Sequence, residues 1–218
     1  MSGPDLTQID TWIFDLDNTL YPPETEFMAL IDERITEFVT RETGLPWEEA
    51  RVLQRRFLDD HGTTLAGMMA QYGINPGQFL DEVHDVSHDR LVPDPAVRAG
   101  IARLPGRRIV FTNGSAGHAE RVLESLELSD LFEGVFHLES ADLTPKPRPE
   151  CYDVFVRVHD VTSEKACFFE DNARNLAPAA RLGMTTVLVG PHALDEVGDF
   201  IHHRTLSLAP FLASVRLR

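Results

Sequence analysis

The first apolar run of the chain, Thr11-Trp12-Ile13-Phe14, is short enough for one buried strand and leads directly into Asp15-Leu16-Asp17. No other stretch constrains the fold as much. Side chains alternate along a strand, so acids at 15 and 17 share a face where the strand ends. Two such carboxylates repel each other and are costly in a core unless a cation or a shared proton stabilises them. The ends of parallel strands are where open α/β sheets place their ligands. The run therefore predicts a strand over 11–16 in an α/β sheet, with a polar site at its tip. No set of nitrogen and sulfur ligands for zinc or iron accompanies it, and an all-oxygen site suits a hard cation such as Mg²⁺.

Beyond Asp17 the chain divides into two parts. Pro22-Pro23 break the chain, and four helical patterns come before any further strand. Phe27, Leu30, Ile31, Ile35, Phe38 and Val39 repeat at helical spacing through 25–42. Further helices are expected over 47–60 and 64–72, and a fourth opens at Asn75-Pro76 with an N-cap and a first-turn proline. Roughly 70 helical residues after one strand are too many for a regular crossover. From Asp94 onward helices and strands alternate. Strands are expected at 108–114, whose end is polar, and at 134–138, 166–170 and 185–189, with a short strand and a helix around Leu208–Val215 closing the chain. This order implies a doubly wound parallel sheet with right-handed crossovers. The expected organisation is an α/β core of residues 1–21 and 91–218, with 22–90 inserted as a helical cap.

Composition narrows the partners. With 35 acids against 20 Lys plus Arg, the formal charge is −15, which argues against a nucleic-acid polymer. A small phosphate ester is still compatible, because one lysine and a bound Mg²⁺ reverse the local field. Cys151 and Cys167 lie in apolar contexts and read as buried thiols. No stretch reaches the roughly 20 apolar residues of a membrane span. Met1–Asp5 lack the basic and apolar parts of a secretory leader, so a cytoplasmic location is expected.

Three further polar clusters lie downstream of Asp15 and Asp17. Thr112-Asn113-Gly114 ends the second strand, where a hydroxyl, an amide and backbone N–H groups can hold a phosphoryl oxygen. Lys146 sits in Thr144-Pro145-Lys146-Pro147, where flanking prolines stiffen the backbone that presents it. Glu170-Asp171 emerge from the apolar Cys167-Phe168-Phe169. In this order the four clusters resemble the four motifs of the haloacid dehalogenase superfamily in its phosphohydrolase form, over about 11–20 and 93–190.

The resemblance implies roles. Asp15 is the nucleophile that forms an aspartyl-phosphate, and Asp17 is the acid and then the base, with its pKa raised by the neighbouring carboxylate. Thr112 and Lys146 stabilise charge on the transferring group, and Thr112, Asn113, Gly114 and Lys146 bind the phosphate. Mg²⁺ is held by Asp15, the Asp17 backbone carbonyl and Asp171, with Glu170 as an indirect or alternative ligand. Some relatives carry two aspartates where this chain has Glu170-Asp171. The insertion occupies the place of the superfamily's first cap class. Within it, His61-Gly62-Thr63-Thr64-Leu65-Ala66-Gly67 resembles the pyrimidine 5′-nucleotidase branch, as do Phe14–Pro22 and Thr112-Asn113-Gly114 with His118-Ala119. A nucleoside 5′-monophosphate is thus the expected substrate. The alternatives are a phosphatase for a sugar phosphate or phosphoglycolate and a phosphomutase. A dehalogenase is disfavoured, since that branch needs neither Mg²⁺ nor an acid at 17.

Other residues take plainer expectations. Asn172 is expected as a helix N-cap and His118 as a helix-surface or lid-facing residue. His202-His203 are expected on a surface strand and not at a zinc site. Met68, Met69 and Tyr72 are expected in the core of the insertion, with Thr64 divided between helix start and substrate contact. Arg216 and Arg218 are expected to fray.

Overall fold

The computed structural model describes residues 3–218. The reading of Met1–Asp5 falls partly on Met1 and Ser2, outside the described residues. Six parallel strands form one sheet: β1 (Thr11–Phe14), β2 (Arg107–Phe111), β3 (Gly134–Phe136), β4 (Ala166–Glu170), β5 (Thr185–Val189) and β6 (His203–Thr205), in the order β3-β2-β1-β4-β5-β6. The α/β, doubly wound class read from the sequence is the observed one. β1 lies between β2 and β4, where the winding reverses, so the crevice such a sheet offers opens at the tips of these three strands.

The register assigns the apolar runs to two faces. Trp12 pairs with Cys167 and Phe14 with Val110 and Phe169, and these side chains join one core. Ile13 pairs with Ile109 and Phe168, and these join the other. Near-continuous apolar strands result, as expected for a sheet covered on both sides. Phe14 stacks on Phe169 at 4.7 Å and Phe111 on Phe155 at 4.6 Å between ring centroids. The Trp12 indole N–H donates to the Pro105 carbonyl at 2.8 Å and ties β1 to the segment entering β2.

Helices cover both faces. Between β1 and the crossover helix α5 (Pro95–Ala102) lie α1 (Phe27–Thr43), α2 (Trp47–His61), α3 (Thr64–Tyr72) and α4 (Pro76–Val83). They share an apolar cluster of their own, around Phe38, Ala50, Phe57, Met68, Phe79 and Val83. The N-terminal half of α1 belongs instead to the sheet core, through Phe27 and Ile31. After β2 come α6 (Ala116–Ser125), α7 (Pro149–His159), α8 (Ala173–Arg181) and α9 (Leu208–Ser214). The caps predicted at Asn75 and Asn172 form, and Asp94 and Ser115 act in the same way: each accepts a backbone N–H of the following turn.

Five expectations need correcting. β2 ends at Phe111 and not at residue 114, because Asn113 and Gly114 already bend the chain towards α6. β1 ends at Phe14 and not at residue 16, because Asn18 takes a left-handed conformation (φ 60°) that turns the chain out of the sheet. β3 ends at Phe136, where a short 3₁₀ turn follows at 138–141. Tyr72 is exposed because it is the last residue of α3, one turn beyond the buried Met68, where the cluster ends; its ring still lies 6.4 Å from that of Phe57. The C-terminus is held and not frayed: Arg216 pairs with Asp5 and exchanges backbone bonds with Pro4 and Leu6, and Arg218 Nε donates to the Thr7 carbonyl. Cys151 and Cys167 are free and buried. Among the described residues no helix is long and apolar enough to cross a membrane.

Candidate active site

The tips of β1, β2 and β4 bring the predicted acids and the lysine together. Lys146 is buried, and its ammonium donates to Asp15 Oδ1 (2.7 Å), Glu170 Oε2 (2.7 Å) and the Phe111 carbonyl (2.8 Å). All three donors are therefore used. The aromatic faces of Phe111 and Phe168 lie 5.1 and 5.3 Å from the nitrogen and add to its stabilisation. Burial works against the charge, but Asp15 and Glu170 outweigh it and keep Lys146 firmly protonated.

Asn113 fixes that lysine from below. Its amide accepts the Lys146 N–H at 2.8 Å and donates to the Lys146 carbonyl at 3.1 Å. The Asn113 side chain is thus a clamp on the lysine loop that uses one of its two amide N–H donors, and Asn113 also lines the crevice. Thr112 Oγ1 accepts the Gly114 N–H at 2.9 Å, and Thr112 lines the crevice. Gly62, at the end of α2 with φ +86°, lies so close that an added Cβ would be 3.3 Å from the Lys146 carbonyl. The insertion therefore touches the lysine loop at a point where a side chain is not tolerated.

Asp15, Glu170 and Asp171 each place a carboxylate oxygen within 4.8 Å of the others. Burial, then the charge of Glu170, push Asp15 up to about 7, although Lys146 pulls the other way. Burial, then Glu170 and Asp15, push Asp171 up to about 9. One lysine does not balance three converging carboxylates, so the cluster is short of positive charge. Its donors are all oxygens, which fits a hard divalent cation. Glu170 is more tightly engaged than expected, since Oε1 also accepts the Asn172 N–H at 3.1 Å.

Asp17 departs furthest from its expectation. Its carboxyl is absent from that cluster and turns to another set of groups. The Tyr21 hydroxyl donates to Oδ1 at 2.6 Å, and His118 Nε2 lies 2.9 and 3.1 Å from Oδ1 and Oδ2. Burial alone would raise its pKa, but His118 beside it and the hydrogen bonds from His118 and Tyr21 outweigh burial and hold it below the ordinary carboxyl value. The expected upward shift is reversed because β1 has already ended and the residue swings towards α6. Of its two expected placements His118 takes the lid-facing one and not the helix surface: it is fully buried against residues of the 22–90 segment. Its ring stacks on His84 at 4.3 Å and on Phe27 at 6.1 Å, and Ser115 Oγ meets His84 Nδ1 at 3.1 Å. The missing Cβ of Gly114 makes room for the ring, since an added one would be 2.7 Å from His118 Cδ2.

Sequence reasoning thus missed Tyr21, His84 and His118 as site residues. One signal was available for His118, which stands three residues after the N-cap Ser115 in the first turn of the helix leaving the β2 tip. None was available for His84, which arrives from the distant end of α4. A cavity of about 480 Å³ extends from Asp15 and Lys146 beneath the insertion. It is also lined by the apolar Ile31, Ile35, Leu65 and Phe79 and by the polar Asp32, Arg51, Gln54 and Arg55. Thr64 joins this lining, while Thr63 and not Thr64 caps α3.

The sequence pattern of the haloacid dehalogenase-like hydrolases matches residues 9–183. The chain belongs to this family. It is 26% identical over 194 residues to Phosphate metabolism protein 8 of Saccharomyces cerevisiae, covering 81% of this chain and 60% of that protein. The chain thus spans less than two thirds of that relative. It is 24% identical to the (S)-2-haloacid dehalogenase of Xanthobacter autotrophicus, with 94% of this chain and 85% of that one aligned. Among solved structures, CbbY from Rhodobacter sphaeroides in complex with phosphate superposes with a TM-score of 0.65 at 20% identity, over 92% of this chain and 95% of that one. This hydrolase fold carries phosphate-handling and halide-handling proteins alike, so the chemistry must be argued from the site.

Proposed function

We propose that this hydrolase is a Mg²⁺-dependent phosphomonoesterase acting through an aspartyl-phosphate, with a pyrimidine nucleoside 5′-monophosphate as its substrate class and residues 22–90 as the cap over the site. The observation that carries the reading is the union of Asp15, Lys146, Glu170 and Asp171 at the mouth of one cavity, with a second acid, Asp17, held by separate donors.

Asp15 attacks phosphorus as the bond to the ester oxygen breaks, and the leaving oxygen takes a proton from Asp17. Water then attacks phosphorus, Asp17 receives its proton, and the Asp15 carboxylate is restored as inorganic phosphate departs. Asp17 begins below the ordinary carboxyl value, which suits the base of the second half. Arrival of a phosphate dianion beside it pushes it upward, the direction an acid requires. Lys146 fixes the attacking carboxylate and supplies positive charge, and the Thr112 hydroxyl faces the phosphoryl oxygens. Asp15 and Asp171, with the Asp17 backbone carbonyl, would hold Mg²⁺, with Glu170 reaching it directly or through water. Bound there, Mg²⁺ supplies charge neutralisation to the carboxylates and the phosphoryl group. The apolar lining, together with Gln54 and Arg55, offers a flat, partly polar leaving group both contact area and hydrogen bonds.

The test is phosphate release from a panel of 5′-mononucleotides, sugar phosphates, phosphoglycolate and a 2-haloacid, with Mg²⁺ and with EDTA. Metal-dependent release that favours UMP or CMP is expected. Metal-dependent release with another preference keeps the chemistry and removes the nucleotide. Halide release indifferent to EDTA overturns the reading in favour of the dehalogenase-like relative.

A further inference from the structure

We propose that His118 and Tyr21 are positioning residues that fix which oxygen of Asp17 carries the transferable proton. The inference rests on Asp17 being the acid of the proposed reaction. Oδ1 of Asp17 accepts from the Tyr21 hydroxyl at 2.6 Å and faces His118 Nε2 at 2.9 Å, whereas Oδ2 has only the longer 3.1 Å approach of the same nitrogen. An oxygen that accepts two hydrogen bonds is the carbonyl-like oxygen of a carboxylic acid. The proton then sits on Oδ2, and the carboxyl cannot rotate to exchange its two oxygens without breaking both bonds.

His118 has no other polar duty. Its ring is fully buried, and Nδ1 has no hydrogen-bond partner. The tautomer with hydrogen on Nε2 donates to Asp17 and leaves only an acceptor unpaired. An apolar side chain between Phe27 and His84 would pack as well and bury no orphan nitrogen. Packing therefore does not account for a histidine here; the bond to Asp17 does. Tyr21 is likewise buried, with its hydroxyl turned onto Asp17.

The experiment compares kcat/KM for an alkyl phosphate, whose leaving oxygen needs a proton, with that for p-nitrophenyl phosphate, whose leaving oxygen does not. Tyr21→Phe, His118→Leu, His118→Gln and Asp17→Asn are measured beside the wild type in Mg²⁺. General-acid catalysis is worth roughly 10²–10⁴-fold, so the alkyl-to-aryl ratio should fall by about tenfold or more in Tyr21→Phe and His118→Leu, in the direction of Asp17→Asn. A glutamine amide places an N–H near the position of Nε2, so His118→Gln should recover most of the ratio. Equal losses on both substrates, or an unchanged ratio where Asp17→Asn lowers it, overturn the inference. An Asp17→Asn ratio equal to wild type instead removes Asp17 from the acid role, and the inference with it. Should His118→Leu fail to fold, Tyr21→Phe, which loses one hydroxyl, decides the question.

Discussion

Asp15 and Asp17 are one residue apart in sequence and stand in opposite surroundings. Asp15 lies among like charges: Glu170 and Asp171 crowd it, one buried lysine bridges it to Glu170, and its pKa is driven up. Asp17 lies among hydrogen-bond donors, a tyrosine and a histidine, and its pKa is driven down. The difference arises from where β1 ends. Asp15 still follows the sheet, with its N–H on the Phe169 carbonyl at 2.9 Å, and shares the strand tips with β2 and β4. Two residues later Asp17 has left the sheet, and it opens the turn that the left-handed Asn18 continues. Paired acids whose environments pull them apart are how one site holds two protonation roles.

The sharpest attempt to break the comparison is Asp15→Asn. If Asp15 is the attacking group and Asp17 only transfers protons, this variant should lose about four orders of magnitude or more of turnover, as nucleophile removal does elsewhere. The circular dichroism spectrum should stay unchanged. Residual activity above a hundredth of wild type would mean that the crowded carboxylate is not the nucleophile.

Lys146→Met tests the charge balance on the Asp15 side. Removing one partner of a buried ion pair costs about 3–5 kcal/mol, and here Asp15 and Glu170 would face each other unpaired. Urea unfolding near pH 7 should show a loss of that size. The loss should shrink as the solution is acidified, because protonating either carboxyl relieves the repulsion. A loss that does not vary with pH would mean that Lys146 contributes through packing alone.

How far the sequence reveals the site follows the same divide. Apolar runs that stop at a polar residue are a local signal, so β1, β2, β4 and β5, and the acids and lysine at the strand tips, could be read directly. The insertion could be read as four helices because the apolar spacing and the caps are local too. Tyr21 and His84 could not, and His118 only as a first-turn residue after Ser115, because what makes them matter is long-range: Tyr21 and His118 converge on Asp17, and His84 stacks on His118 from a third segment. Asn113 was visible, but its partner is a backbone 33 residues on, which no periodicity encodes. The frayed C-terminus was misread for the same reason: Arg216 and Arg218 are held by residues near the opposite end of the chain.

A divalent cation should stabilise one region and not the other. A cation that binds only the folded state adds about 2.7 kcal/mol at a hundred times its dissociation constant. Titrating Mg²⁺ should therefore raise the melting temperature, and Asp171→Asn should remove most of that rise. His118→Gln should not, since His118 contacts no member of the Asp15 cluster among its hydrogen bonds. Equal loss of the Mg²⁺ response in both variants would merge the two regions.

The smallest effect belongs to His84, whose neutral ring closes the stack on His118. Burial, then the neighbouring His118, lower its pKa from 6.5 to about 3. The unfolded chain therefore takes a proton at this position below about pH 6.5, while the folded protein does not. Its contribution to stability is whole at neutral pH and is lost as pH falls from about 6.5 towards about 3, by up to about 1.4 kcal/mol per pH unit. Asp17, depressed in the folded state, loses stability in the same direction, and Asp15 and Asp171, raised, oppose it. The wild-type curve mixes all four. His84→Gln isolates one of them: between about pH 6 and pH 4 its unfolding free energy should fall less steeply than that of the wild type. Parallel curves would mean that His84 accepts a proton without leaving its place against His118. The Asp17 side of the site would then gain a positive charge on acidification, and its contrast with the Asp15 side would hold only near neutral pH.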